Sequence, residues 1–463
     1  MPLHRHLRPR TSARLLTIAA VGFGLLAPVG AANAESLTDA LVQTYRNNPT
    51  IRAARAELRA TNERVPQELS NWRPQVSIDT SISRQSIEDE DQFSTTDEDT
   101  TPKSATLRVQ QPVYRGGQTF AGVDRAENEV VSQRKRLLST QQDVFQRAVE
   151  AYLNVWRDRE VLRLNQENVR ALREQLKATQ ERFKRGVVTR TDVAQAKSRL
   201  ARAKARRENT RGQLSNSQAL YEELIGQPPG DLSYPGDMAR MPTSLEATVA
   251  RAAERNPQIL AARFASKAAD RAVRQRTGQL LPSVTLTGEV QRQEETIRPS
   301  DETERAEVRL RMQIPLYQAG QVTSQIRQAK QTASQRRLQT AEADRRARQQ
   351  AHSAWGRLES AREQIGERRT QVESAKVALE GMEEELNVGS RTVIEVLDAE
   401  QDLFNARISL VRARRDIAVA RFGVLSAIGG LTARDLDLNV DYYDPRQDYE
   451  EVRNDWWSLY APN

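Results

Sequence analysis

The stretch Asn387-Val388-Gly389-Ser390-Arg391-Thr392-Val393-Ile394-Glu395-Val396-Leu397-Asp398-Ala399 decides how this chain is built. Gly389 is the residue type that ends a helix in the left-handed conformation. Thr392, followed three positions later by Glu395, is a capping box and starts the next helix. The apolar positions around the turn are spaced alternately three and four. They are Val372, Ala375, Leu379, Met382 and Leu386 before it, then Val396, Ala399, Leu403 and Ala406 after it. Such spacing is a coiled-coil seam, so two helices are expected to run antiparallel from a tight turn.

The same text occurs earlier in the chain. Arg182-Phe183-Lys184-Arg185-Gly186 leads to Thr189 and Asp192, with Val169, Leu172, Leu176, Thr179 and Phe183 before the turn and Val193, Ala196, Leu200 and Ala203 after it. Gly186 and Gly389 lie 203 positions apart, as do Gly226 and Gly429, and Pro112-Val113-Tyr114 and Pro315-Leu316-Tyr317. Nearer the N-terminus the offset is 208: Ser36-Leu37 recurs as Ser244-Leu245, Asn48-Pro49 as Asn256-Pro257, and Pro74-Gln75-Val76 as Pro282-Ser283-Val284. A fixed long period marks a repeated structural unit. It divides the chain into a first repeat at 35–243, a second at 244–433 and a tail at 434–463. The change of offset falls between about 79 and 105, where Glu88-Asp89-Glu90-Asp91 and Asp97-Glu98-Asp99 have the composition of an exposed loop.

Within each repeat the periodicity also switches to two. Val76-Ser77-Ile78-Asp79-Thr80-Ser81-Ile82-Ser83, the run around Ala105–Val109, Val284–Thr287 and residues 306–316 alternate apolar with polar, as a strand wetted on one face does. The hairpins are expected at about 75–113 and 283–316, giving four strands of roughly ten residues, suited to a transmembrane barrel. A soluble sheet is the alternative, but the flanking sequence offers no apolar layer to cover it.

Long helices are expected at about 118–182 and 321–385, each roughly 100 Å at 1.5 Å per residue. Shorter ones at about 49–73 and 189–226, and again at 257–281 and 392–429, would match a long helix when stacked end to end. Such arithmetic fits a cylinder wall of uniform height.

The N-terminus carries Arg5, Arg8, Arg10 and Arg14, an apolar run from Leu15 to about Val29, and Ala32-Asn33-Ala34. This order predicts a signal peptide over 1–34, removed after Ala34. A membrane-anchoring helix is disfavoured because the run is shorter than the ~20 residues of a span. Removing 1–34 takes away four arginines and no acids, so the formal charge falls from +8 to +4. The arginines alternate with Glu and Gln along the helices, the pattern of a solvated face. No one-sided basic stripe suggests nucleic acid. The chain contains no cysteine, so neither a disulfide framework nor a lipidated Cys is possible.

Over essentially all of 35–440 these features resemble the TolC family of outer-membrane efflux and secretion ducts. The most specific match is 387–399, which is similar to the second periplasmic turn of that family. Residues 182–193 look like the first turn, and Asn-Pro heads each repeat as it does in the family. The resemblance implies an α+β membrane protein, a homotrimer with a twelve-stranded β-barrel, four strands from each chain, standing on a long α-helical coiled-coil barrel. It also implies a periplasmic adaptor and an inner-membrane transporter as partners, and outer-membrane lipid around the barrel. Chain physics supports the oligomer separately. Four strands cannot close, and an open edge in lipid costs several kcal/mol for each unsatisfied group.

By the same resemblance the turns carrying Gly186 and Gly389 close the tunnel. Arg391 stands at the family's gate arginine, and Thr191 and Asp192 at the positions it contacts across neighbouring helix pairs. Leu386 replaces the gate tyrosine, which removes a hydrogen bond to Asp192. Glu395 and Asp398 fall at the family's two acidic lumen positions. Three apart on a helix, they share a face, and three copies would stack two acidic rings that favour cations.

No catalytic set is visible, and neither a cofactor nor a metal is expected. Beyond 1–34 the only histidine is His352, in a polar helical stretch. Gly116-Gly117 has Ala319-Gly320 as its repeat partner and reads as a tight turn. The rival reading is a periplasmic coiled-coil adaptor or structural protein. An adaptor would show one helical hairpin and a separate β domain, whereas this chain has two hairpins of each kind. The tail from Asp435, with Tyr442, Tyr443, Trp456 and Trp457, fits no repeat, and either wraps the middle of the wall or hangs loose.

Overall fold

The computed structural model describes residues 35–91, 94–236, 241–295 and 302–459; the expected signal peptide lies outside them. In chain order the elements are α1 (Leu37–Asn47), α2 (Pro49–Asn62), α3 (Arg64–Leu69), β1 (Gln75–Ile82), β2 (Gln85–Asp91), β3 (Ser94–Thr100), β4 (Lys103–Arg115), α4 (Gln118–Lys184) and α5 (Arg190–Ile225). They continue with α6 (Leu245–Arg255), α7 (Pro257–Thr277), β5 (Ser283–Glu294), β6 (Glu302–Gln313), α8 (Gln321–Asn387), α9 (Val393–Ala427) and α10 (Gln447–Arg453).

The Asn-Pro pairs organise the helices. Asn48 caps α2 by accepting from the Thr50 amide at 3.0 Å, while its Nδ2 donates to the Leu224 carbonyl at 2.9 Å. Asn256 does the same for α7, accepting from the Gln258 amide at 2.9 Å and donating to the Ala427 carbonyl at 3.2 Å. Proline at the first helical position loses no hydrogen bond, because that amide is unpaired anyway. Each corner thus docks the start of one short helix on the end of another, α2 on α5 and α7 on α9. Helix α4 packs against α2, α5, α7 and α9, and α8 packs against α7 and α9. The chain is therefore an arc of four columns: α2 with α5, then α4, then α7 with α9, then α8.

Helices α4 and α8 have 67 residues each, hence about 100 Å, as periodicity and breakers suggested. One expectation is corrected. The helix foreseen at 49–73 breaks at Glu63, restarts as α3 and ends in a 3-10 turn at Ser70–Trp72. Pro66 is the cause, since it cannot donate to the carbonyl four residues back and its ring crowds that turn. The counterpart of Pro66 is Arg274, and α7 runs unbroken for 21 residues.

The sheet has the order β1-β4-β5-β6, antiparallel throughout. Its register sets apolar rows across all four strands: Ile78, Leu107, Val290 and Ala306 in one, Val76, Val109, Gly288 and Val308 in the next. Between them lies the polar row Ser77, Arg108, Glu289 and Glu307. None of the described residues covers the apolar face, where Ile78 is 72% and Val308 78% exposed. Among the described residues no helix is long and apolar enough to cross a membrane.

The acidic segment expected as a loop is instead a ribbon, with β2 paired to β3 from Gln85 opposite Thr100 to Asp91 opposite Ser94. Acidic composition governs how side chains are solvated, but leaves the backbone free to continue a ladder. The ribbon separates from the main sheet at Pro102, which has no amide to offer the ladder and only accepts from Ser83 at 3.0 Å.

The thickest core lies at mid-height. Leu41, Phe145, Tyr152, Tyr221 and Leu431 are fully buried there. Tyr152 donates to the Glu35 and Ser233 carbonyls, both at 2.7 Å. The tail does not hang loose: the Tyr443 amide donates to the Tyr45 hydroxyl at 3.0 Å, and the Arg453 guanidinium meets Glu127 at 3.1 Å. It is a strap across α2 and α4.

Candidate functional site

The helical hairpins end far from the sheet, at two turns of identical construction. After α4, Gly186 takes φ +75°; its amide donates to the Phe183 carbonyl at 2.9 Å, and the Val187 amide to Arg182 at 3.0 Å. After α8, Gly389 takes φ +81°, with Gly389 to Leu386 at 3.2 Å and Ser390 to Glu385 at 2.9 Å. Both are Schellman turns, which satisfy the last free carbonyls of a helix and need a residue tolerant of positive φ.

The next helices start with reciprocal caps. Asp192 accepts from the Thr189 amide at 2.8 Å, and the Asp192 amide donates to the Thr189 hydroxyl at 3.3 Å. Glu395 accepts from the Thr392 amide at 2.8 Å, and its own amide donates to the Thr392 hydroxyl at 3.4 Å. The turns touch through Arg182, which donates to the Asn387 side chain at 3.3 Å. Behind them Val169, Leu172, Leu200, Val393 and Leu397 form one apolar cluster that joins α4, α5 and α9, and Leu386 packs against it. Leu386 is therefore a packing residue of the tip.

Within one chain Arg391 meets neither Thr191 nor Asp192. Its Nε donates to Glu385 at 2.6 Å and its Nη1 to Glu395 at 2.9 Å. The physical reason is proximity: both acids sit on its own hairpin, and the Asp192 carboxylate is engaged by Thr189. Arg391 thus clasps the end of α8 to the start of α9. The Thr392 amide and hydroxyl, then Arg391, hold the Glu395 carboxyl down to about 2, so it is ionised at any physiological pH. Asp398, the other expected ring acid, is paired to Arg199 of α5. The two acids share a face as expected, but each is already matched to an arginine.

One residue here is absent from the reading of the sequence. Glu400, on α9, has a carboxylate oxygen that is sealed from solvent and lacks a hydrogen-bond partner. Burial, followed by repulsion from Glu383 on α8, pushes its pKa up to about 7, against the pull of Arg199. The available signal was its position: it follows Ala399 and lies three residues before Leu403, on the flank of the apolar seam. Among the described residues no cluster of three or more His, Asp or Glu side chains could hold a metal ion.

Comparison with known proteins is consistent over most of the chain. The family model described as "Outer membrane efflux protein" matches residues 40–227 and 248–430. The outer membrane efflux protein BepC of Brucella suis biovar 1 (strain 1330) is 34% identical over 435 residues, covering 94% of each chain. The outer membrane protein TolC of Escherichia coli (strain K12) is 25% identical over 438 residues, 90% of this chain and 86% of that one. Among solved structures, the CmeC outer membrane channel of Campylobacter jejuni superposes with a TM-score of 0.78 at 16% identity, covering 90% of this chain and 89% of that one.

Proposed function

Because this chain belongs to the outer membrane efflux protein family, and so is an outer-membrane efflux channel, we propose that three copies close into one duct gated at the helical tips. The observation that carries the reading is that both layers are open at both ends. Strands β1 and β6 each have one unpaired edge in the four-stranded sheet, and the helical arc ends in the α2 with α5 column on one side and α8 on the other. An edge left open in lipid is costly, and joining chains edge to edge removes it. Three chains give twelve strands and twelve helical columns, with the exposed apolar face of the sheet toward lipid. The ribbon β2–β3 then projects outside the cell.

In this arrangement the chain is internally duplicated, with repeats at 35–243 and 244–433, and serves as the exit duct of a tripartite efflux pump or a type I secretion system. A periplasmic adaptor seats on the hairpins, and an inner-membrane transporter supplies the cargo. Arg391 is the gate residue: the clasp to Glu385 and Glu395 keeps the α8–α9 tip compact, and Thr191 and Asp192 of the adjoining helix pair are its partners in the closed ring. Glu395 and Asp398 line the entrance.

Mass measurement of the full chain in mild detergent, together with planar-bilayer recording, tests this. The expected result is a trimer with discrete conductance steps. A stable membrane-inserted monomer would defeat the barrel argument. A trimer whose conductance is untouched by Arg391→Ser would leave these turns with a capping role alone.

A further inference from the structure

The strap formed by the tail encloses a cleft of about 610 Å³ against α2 and α4, far from the tips. Its lining is one-sided in charge: Arg55, Arg134, Lys135, Arg434 and Arg446 face it, with Asp444 as the one acid among the lining residues. Three of these cations lie over aromatic rings, among them Arg134, 5.0 Å from the centre of the Tyr449 ring. The Arg55 guanidinium lies 4.5 Å from the centre of the Tyr45 ring and 5.3 Å from that of Tyr443, and Arg434 lies 5.2 Å from Tyr442. Such stacking leaves the edges of the guanidinium groups available as donors.

The cleft also contains donors with nothing to bond. Nε and Nη2 of Arg134 are sealed from solvent without a hydrogen-bond partner, and so is Nε2 of Gln141, a residue only 7% exposed. An unpaired buried donor is costly, and more so when it is charged. Desolvation pulls the Arg134 pKa below its ordinary value, Tyr449 opposes this, and Arg446 adds a like-charge push. A chain that gathers cations and idle donors around a space of this size has built the complement of an anion. The volume lies within the range of ordinary small-molecule sites, roughly 300–1,000 Å³. Apolar side chains at Ile51, Leu137 and Leu138 complete the lining, which suits a ligand with a hydrocarbon or aromatic body.

We propose that this cleft binds a small organic oxyanion, a phosphate monoester or a carboxylate with an apolar body, held by Arg134, Gln141 and Arg446 beneath the tail. Its apolar part rests on Leu137 and Leu138, and the oxyanion supplies the acceptors that Arg134 and Gln141 lack. Binding ties the tail to α4, so occupancy stabilises the middle of the wall. The site is independent of the gate, and duct activity is not its readout.

The test is calorimetric titration of the detergent-solubilised full chain at low ionic strength with phenyl phosphate, inorganic phosphate, benzoate and phenol. Saturable binding of phenyl phosphate and no binding of phenol is the expected result, with a raised unfolding temperature in proportion to occupancy. Inorganic phosphate binding as tightly as phenyl phosphate would assign the site to the free ion and remove the apolar body from the proposal. Arg134→Gln should weaken phenyl phosphate by roughly tenfold or more, as expected for loss of a charged donor. Should that variant misfold, Arg446→Gln on the tail provides the check, with a several-fold loss expected. Equal binding of phenol, unchanged affinity in both variants, or a cleft that holds only water with no saturable uptake overturns the proposal.

Discussion

Helices α4 and α8 are equal in length and aligned residue for residue at an offset of 203, yet they live in different surroundings. Helix α4 buries 24 residues and α8 buries six. All six have buried counterparts in α4: Ala333, Ala347, Ala351, Ala354, Trp355 and Leu358 correspond to Val130, Val144, Ala148, Ala151, Tyr152 and Val155. The reverse fails. Phe145, Val149 and Leu153 are fully buried in α4, whereas their counterparts are Arg348, His352 and Gly356. Similar helices thus acquire one packed face or two according to their place in the arc. Helix α4 stands inside it with a neighbour on each side, and α8 forms its flank. The difference reports position in an assembly more than any difference in local propensity.

The largest expected effect tests that asymmetry directly. Tyr152→Ala should cost about 3–5 kcal/mol, the usual result of removing a buried aromatic, and it also strips a donor from two carbonyls. Trp355→Ala, at the matched place in α8, should cost clearly less, because fewer atoms of the same chain surround it. Urea unfolding in detergent gives both values. Equal losses would mean that α8 is as enclosed as α4 and that the comparison fails.

Next comes acidity, which separates the two tips. Glu400 has Lys197 as its counterpart, an exposed residue, so a pH response should come from the second hairpin only. The Glu400 pKa is raised from 4.5 to about 7. The packed tip is therefore fully favoured below the ordinary carboxylate pKa and loses support as pH rises through about 7. The displacement corresponds to something on the order of 3 kcal/mol in each chain. Channel opening in bilayers should be more frequent at about pH 8 than at about pH 5. Glu400→Gln should flatten that profile at its low-pH level, while Lys197→Gln leaves it unchanged. A profile that persists in the Glu400 variant assigns the response elsewhere.

Arg391→Ser should raise conductance several-fold with the yield of assembled protein unchanged, because the apolar cluster behind the turns carries the packing. Arg182→Ser, which loses only its bond to Asn387, should do much less. Leu386→Tyr, tested in the same recordings, should make closure tighter. Similar conductance for the two arginine variants would remove the distinction between the tips.

The smallest effect concerns the caps. Thr189→Ala should cost about 1 kcal/mol of stability with no change in conductance, since Asp192 holds nothing but that cap within the chain. Thr392→Ala should also increase opening, because its partner Glu395 restrains Arg391 as well. Thermal unfolding and bilayer recording on the same preparations distinguish the two.

What the sequence displayed well was local chemistry whose result is independent of distant residues. A glycine after an apolar seam with a Thr-x-x-acid box three residues on can hardly be anything but a turn between helices, and both tips follow that rule. The Asn-Pro corners were visible too, although their second bond, to the carbonyls of Leu224 and Ala427, depends on helices more than 170 residues away. Where two outcomes were close in energy the sequence was less informative. Pro66 falls well inside the helix expected at 49–73, where its missing donor breaks the helix at Glu63. The acidic segment read as a loop because composition reports solvation and not backbone pairing. Arg391 was expected to meet Thr191 and Asp192 of a neighbouring helix pair, and only geometry selects Glu385 and Glu395 within the chain. Glu400 could be seen beside the seam, but its isolation depends on what Arg199 and Glu383 do.

The corners at Asn48 and Asn256 give the wall an uneven mechanical character. Two of its four columns are continuous rods about 100 Å long, in which every turn is tied to the next by backbone bonds. The other two are articulated: at each joint an asparagine amide reaches across to a helix-end carbonyl, and a proline starts the next helix. Rods alternating with articulated members resist shortening along the axis but yield to torsion below the joints.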